Sequence, residues 1–278
     1  MNEFLSQFLG QWLPTIIAMV ITGAFAGILA GLLGVGGGIV IVPVLYFVLQ
    51  SAGVSPATAM LVATATSLLT IVPTSIASIR AHHKRGNVDW ALVKRWWPTM
   101  LIGVVLGSSF ALNAKGTAAS TIFGVVALLV AANMLFRAKA APIAHQLPGM
   151  KGQGVMAGLI GFFSVIMGVG GGTVGVPLLT AFNYSPHRAV GTAAVFGLLI
   201  AVPGSIAMLL AHTPTDAPEG MIGIVNWPGF LCIMPLTVLL APTGAWIGSK
   251  LDSLTLKRVF AIFLLLSGGR MLIQVLGF

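Results

Sequence analysis

The sequence predicts an all-α polytopic membrane protein built from two inverted repeats, each a Gly-broken helical hairpin plus three transmembrane helices. Three observations lead there. Of 278 residues, 57% are hydrophobic and 7% charged, where soluble domains carry about a quarter charged residues. The apolar runs reach the ~20 residues that cross a bilayer. One glycine string also occurs twice, as G-V-G-G-G-I-V-I-V-P-V-L over 34–45 and G-V-G-G-G-T-V-G-V-P-L-L over 168–179, with nine of twelve positions identical.

Eight apolar segments follow one another at 12–50, 57–80, 90–112, 117–136, 153–183, 187–211, 222–249 and 255–277. The residues Met1 to Gln11 hold Glu3 and no Lys or Arg. They lack the basic stretch of a cleavable signal, so the first run is expected to stay in the mature protein. As one straight helix that run would be roughly twice the hydrocarbon thickness. Folded back at its glycines it becomes a hairpin, and 153–183 does the same. The other six segments read as single spans. Further matches extend the repeat: Ser55-Pro56 with Ser185-Pro186, Pro73 with Pro203, Ala81-His82 with Ala211-His212, Val88-Asp89-Trp90 with Val225-Asn226-Trp227, Pro98 with Pro235 and Met134-Leu135 with Met271-Leu272. The first repeat takes residues 1–140 and the second 141–278.

A hairpin returns the chain to the side it came from, so a hairpin plus three spans crosses an odd number of times. The second half is then inverted. With both termini outside, the inner loops and their flanks hold Arg80, Lys84, Arg85, Lys94, Arg95, Arg137, Lys139, Lys151, Arg188, Lys250, Lys257 and Arg258, twelve of the fourteen Lys and Arg. Only Lys115 and Arg270 lie outside, as the positive-inside bias requires. A parallel repeat of eight simple spans would put Lys250, Lys257 and Arg258 opposite Arg80 to Arg85 and is rejected.

Broken helices in lipid are costly unless they line something, and inverted repeats with discontinuous helices are a recurrent plan of transporters. Two hairpins from opposite faces should nearly meet at their glycines. Glycine reaches backbone angles that let consecutive N–H groups point into a cavity, beside the positive helix starts expected at Ile39 and Thr173. We therefore expect Gly34, Gly36, Gly37, Gly38, Gly168, Gly170, Gly171, Gly172 and Thr173 to bind a small anionic substrate. Thr66 and Ser67 of the hydroxyl-rich second segment would line the route, and Pro43 and Pro177 would act as structural hinges. The alternative is close helix packing, since Gly27/Gly31, Gly34/Gly38 and Gly168/Gly172 keep the small-xxx-small spacing. Two strings of four glycines with proline at one offset exceed what packing needs. Gly170 to Gly175 also spells G-x-G-x-x-G, but without a surrounding βαβ unit or a following acid it is a chance match.

Other polar residues are read more plainly. The hydroxyls Thr64, Thr70, Thr74, Ser75 and Ser78 either bond their own helix carbonyls or line a hydrated path. Trp90, Trp96, Trp97 and Trp227 stand at segment starts as interfacial anchors, and Arg270 snorkels. His82 and His212 match by repeat; they read as loop histidines, with a proton-carrying role for one of them as the alternative. Cys232 is a lone apolar-run cysteine, which excludes an internal disulfide. No Asp or Glu lies mid-span, which argues against a carboxylate proton relay and, with no H-E-x-x-H or G-x-S-x-G, against a membrane-embedded enzyme. No catalytic residue, metal ligand or cofactor is expected. The net charge of +9 reflects topology and not nucleic acid.

The doubled G-x-G-G-G-x-x-x-x-P string, the S-P that follows it and the later V-D-W or V-N-W together resemble the TauE/SafE family, over about residues 13–275. The resemblance implies a permease of the bacterial inner (plasma) membrane for sulfite, sulfonates and related organic anions. It marks Gly34, Gly36, Gly37, Gly38, Pro43, Gly168, Gly170, Gly171, Gly172 and Pro177 as the shared core. Asn226 stands where the first half has Asp89, so a role needing two symmetric carboxylates is not expected. The reading is a secondary transporter, an exporter of a small anion, by alternating access. A passive anion channel is the rival. The lipid bilayer is a partner, while a homo-oligomer and a coupling ion, H+ or Na+, stay open.

Overall fold

The computed structural model describes residues 13–33, 36–114, 116–136, 143–248, 250 and 253–276. Their architecture is all-α with one small hairpin of strands. The first half contributes α1 (Leu13–Leu33), α2 (Gly38–Ser51), α3 (Pro56–His83), α4 (Trp90–Asn113) and α5 (Gly116–Phe136). The second contributes α6 (Met150–Met167), α7 (Gly172–Ala181), α8 (Pro186–Leu209), the antiparallel β1 (Met221–Ile222) and β2 (Val225–Asn226), α9 (Trp227–Gly248) and α10 (Ser253–Val275). Pro56–His83, Thr117–Phe136, Met150–Met167, Pro186–Leu209 and Trp227–Gly248 are long and apolar enough to cross a membrane, and α1, α2, α7 and α10 hold shorter apolar stretches.

Local chemistry sets the helix ends. Pro56 opens α3 behind Ser55, whose hydroxyl accepts the Thr58 N–H. Asp89 caps α4 by accepting the Leu92 N–H at 3.0 Å, and Asn226 caps α9 by accepting the Gly229 N–H at 2.7 Å. The expected segment from 222 is thereby corrected: β1 and β2 occupy 221–226 and the helix starts at Trp227. Gly220 and Gly223, both with positive φ, turn the chain on either side of β1.

Packing runs through small residues because lipid tails compete equally for apolar side chains, leaving close van der Waals contact to hold helices together. Gly23, Gly27 and Gly31 of α1 lie on Ile233, Thr237 and Ala241 of α9, a constant offset that makes the two helices parallel. Gly103 and Gly107 of α4 lie on Gly158 and Phe162 of α6 in the same way. By contrast α3 and α8 run antiparallel, Leu68 beside Gly204 and Ser75 beside Gly197. So do α5 and α10, where Gly124 meets Leu272 and Ala127 meets Gly268.

Polarity is distributed inside out relative to a soluble domain. The enclosed helix α3 buries Thr58, Thr64, Thr66, Ser67, Thr70, Thr74, Ser75 and Ser78. Large apolar side chains such as Ile21, Leu106, Leu129, Leu239 and Leu266 are exposed on the perimeter. Lipid accommodates that perimeter, whereas water would not.

The loop after α8 clasps the start of α3. Asp216 accepts the Ser55 N–H at 3.3 Å and the Thr58 hydroxyl at 2.5 Å. Hydrogen bonds from Ser55 and then Thr58 hold the Asp216 carboxyl below its ordinary value. A depressed carboxylate contributes stability above its unfolded pKa and loses it as pH falls through the folded one. Hydrogen exchange at 55–58 should therefore be faster in Asp216→Asn than in wild type at neutral pH, and the difference should vanish in acid.

Gly103 offers a packing test. A methyl group there would run into the Gly158 carbonyl, so Gly103→Leu should cost about 1–3 kcal/mol or more through overpacking. Gly269, with open space around it, should accept alanine without loss. Thermal unfolding in detergent separates the two variants.

Candidate functional site

The two glycine strings converge on the α3/α8 pair. A methyl group built on Gly36 would lie 3.5 Å from the Gly170 Cα, and one on Gly38 would collide with the Gly168 carbonyl. Gly36 and Gly170 hold the same place in their two strings, so the breaks meet at equivalent points. Gly34 lies outside the described residues. Gly37 (φ 77°) precedes α2, and Gly168 (φ 66°) follows α6. Both need the left-handed backbone that a side chain disfavours.

The helices leaving the breaks start one residue earlier than expected, at Gly38 and Gly172. Neither has a side-chain cap. Among the described residues the N–H groups of Gly170, Gly171 and Gly172 meet no acceptor. Helix dipoles place partial positive charge at these same starts. Pro43 and Pro177 do not sit in the breaks. Each is the sixth residue of its short helix, where a missing N–H withholds the usual partner of the Ile39 or Thr173 carbonyl.

Hydroxyls ring the second string, in two groups. Ser67 donates to the Gly168 carbonyl at 2.7 Å, and Thr66 accepts the Asn226 N–H at 3.0 Å, so both bridge segments and do not hang free into a path. Thr70 and Thr74 bond the Thr66 and Thr70 carbonyls of their own helix, and the Thr74 hydroxyl lies 2.8 Å from that of Thr237. Thr64, Ser75, Ser164 and Thr173 are buried with no hydrogen-bond partner. All four adjoin the second string. Thr64 Cα abuts Gly168, Ser75 faces Gly197 beside Gly170, Ser164 accepts the Val169 N–H through its carbonyl, and Thr173 is the second residue of α7. Ser164 escaped the sequence reading because a single serine in an apolar run carries no local signal.

Trp96 is a correction. It is no interfacial anchor but fully buried, stacked on Phe196 at 5.4 Å and donating to Gln153 Oε1 at 3.1 Å. Trp90 and Trp97 are exposed as expected. The Trp96–Phe196 pair backs Gly171, whose Cβ position touches Phe196.

Asp89 and Asn226 tie each half to the other. The Asp89 N–H donates to Thr192 of α8, and the Asn226 N–H to Thr66 of α3, both at 3.0 Å. Asp89 goes further, taking the Tyr184 hydroxyl at 2.9 Å and pairing with Arg188 at 3.1 Å. Burial and then the Asp89 contact push the Tyr184 hydroxyl above its ordinary pKa, so it stays a neutral donor.

This chain matches the model of the family described as "Sulfite exporter TauE/SafE" over residues 19–271. The chain belongs to the TauE/SafE family. It is similar to a probable membrane transporter protein of Haemophilus influenzae, 32% identical over 233 residues that cover 84% of this chain and 88% of the relative. It is also similar to the probable membrane transporter protein YunE of Bacillus subtilis, 27% identical with 87% and 92% covered. A third relative, the probable membrane transporter protein MJ0441 of Methanocaldococcus jannaschii, is 27% identical with 86% and 89% covered. No solved structure matches the chain. This TauE/SafE member is thus a multi-pass membrane protein from a family of transporters, not of enzymes.

The two caps predict different mutational costs. Asp89→Asn keeps a capping oxygen, as Asn226 does naturally, and should lose the half-exposed Arg188 pair and the carboxylate that the Tyr184 hydroxyl donates to, together about 1–3 kcal/mol. Asp89→Ala also loses the cap, adding about 1 kcal/mol. Thermal unfolding of both variants beside Arg188→Gln checks the order.

Proposed function

We propose that this protein is a secondary transporter that exports a small anion, sulfite or an organosulfonate, by alternating access. The anion is held between the two glycine breaks by backbone N–H groups and hydroxyls. The observation that carries the reading is the set of four buried, unpartnered hydroxyls (Thr64, Ser75, Ser164 and Thr173) beside three N–H groups without acceptors. Each unmet buried polar group costs about 1–3 kcal/mol, so a cluster of them is expensive unless it serves a ligand. Hydroxyls and backbone N–H groups are both donors that an oxyanion accepts from. No Lys or Arg is needed at the break, since two helix starts supply the positive field.

The inverted repeat supports alternating access. The equivalent helices α3 and α8 run antiparallel, as do α5 and α10, which is the relation that inversion requires. Basic residues gathered at Arg80 to Arg85, Arg95, Lys151 and Arg188 favour that end as cytoplasmic, with both termini periplasmic. Sulfite as the anion follows the family name, and organosulfonates share its oxyanion geometry.

The test removes a hydroxyl and leaves the glycines alone. Valine at Gly37 or Gly171 would strike Ala26 or Phe196 and would report on folding as much as transport. Thr173→Val keeps the shape. In proteoliposomes, wild type should move sulfite against its gradient, which a channel cannot do. Thr173→Val and Ser75→Ala should each raise the sulfite KM about tenfold, the worth of a hydrogen bond to a charged group. Unchanged KM in both variants would sink the site assignment.

A further inference from the structure

His82 lies in the last turn of α3 with 5% of its surface exposed. Its Nε2 is 3.1 Å from the Gly31 carbonyl, in the last turn of α1 just ahead of the first glycine string. A carbonyl only accepts, so Nε2 carries the hydrogen and Nδ1 is left as an acceptor in the neutral ring. That Nδ1 is buried and has no partner among the described residues. The ring lines a small cavity of about 30 Å³ with Leu32, Arg85, Asn87, His187, Val190 and the end of α9. Such a space admits a single water.

We infer that His82 is a proton-binding site whose occupancy opens this end of the bundle, coupling a proton to the alternating access proposed above. Among the described residues no Asp or Glu lies within a membrane-spanning helix. His82 is the buried side chain there of a type that titrates between pH 5 and 8. A proton arriving through the cavity binds Nδ1, where the new N–H has only the cavity's single water and the Asn87 side chain to meet. It faces Arg85 from the turn after α3 and His187 from α8, while Arg188 beyond is committed to Asp89. From α1 and α9 the cavity is lined by Leu32, Ala245 and Gly248, none charged. Arg80 and His83 are the neighbouring charged and titratable groups on its own helix. The charged ring is therefore favoured in a conformation in which this end opens to bulk water. Opening parts α3 from the end of α1, the segment that leads into the glycine break. A ligand that favours one conformer shifts the population towards it. His212, the repeat counterpart, is exposed, so the two ends differ in this respect.

The inference rests on alternating access but is tested without substrate. The full chain in detergent, carrying Cys232→Ser, receives Leu32→Cys or, separately, Val190→Cys as reporters on the cavity wall. Maleimide labelling rates are compared at about pH 5.5 and about pH 7.5, spanning the histidine range, with His82 present and in the His82→Gln background. Glutamine keeps a donor for Gly31, and the thiol's own pH dependence cancels between backgrounds. The expected result is a several-fold rise, at the lower pH, in the rate with His82 relative to His82→Gln. An equal ratio at both pH values for both reporters overturns the proton site. In protein that still moves sulfite uphill, that result leaves the anion reading standing. A pH-dependent ratio in protein that moves no sulfite supports the proton site and overturns the anion reading.

Discussion

Everything in this molecule follows from the requirement that backbone polar groups find partners inside the protein where lipid offers none. A continuous helix meets it automatically. A chain that is not helical at Gly36 and Gly37 and again from Gly168 to Gly171 must meet it some other way. The answer is to bring the two interruptions together, so that each is walled by the other and not by acyl chains. Ser67 donating to the Gly168 carbonyl is one such repair across the junction. The close packing of α1 on α9 and of α4 on α6 encloses the junction from outside.

That constraint explains why hydroxyls and not charges fill the middle of the bundle. A serine or threonine is small enough to sit beside a glycine backbone and can donate or accept as its neighbour requires. A buried lysine would bring a charge whose desolvation nothing nearby offsets. The basic residues accordingly stay near helix ends, where Arg188 can reach Asp89 and remain half in solvent.

How much was legible beforehand depended on how local the signal was. Helix positions read well, most starts falling within a few residues, because long apolar runs bounded by Ser-Pro or by Asp and Asn before Trp carry their own boundaries. The strands at 221–226 did not, since Ile222, Ile224 and Val225 look like the front of an apolar helix and the deciding turns come from two glycines. The close approach of the glycine strings followed from counting crossings. Which hydroxyls stay unpartnered there did not follow, because that depends on what lies across the bundle. Thr66 and Thr70 are one turn apart on one helix, yet one accepts from Asn226 and the other bonds its own helix. Trp96 and His82 misled for the same reason. Their positions near segment ends suggest an interfacial anchor and a loop residue, and only the partners Phe196, Gln153 and Gly31 put them inside.

The pairing of Asp89 with Asn226 has a thermodynamic consequence. In a transporter of the proposed kind, two identical halves facing opposite ways would make the inward-facing and outward-facing shapes two-fold equivalents of equal free energy, an idle machine with no resting posture. Here one latch is ionic and reinforced by Tyr184 and Arg188, while its twin is a neutral amide resting against a methionine sulfur. On the alternating-access reading proposed above, divergence at this duplicated position would bias one posture over the other, a spring wound by one carboxylate.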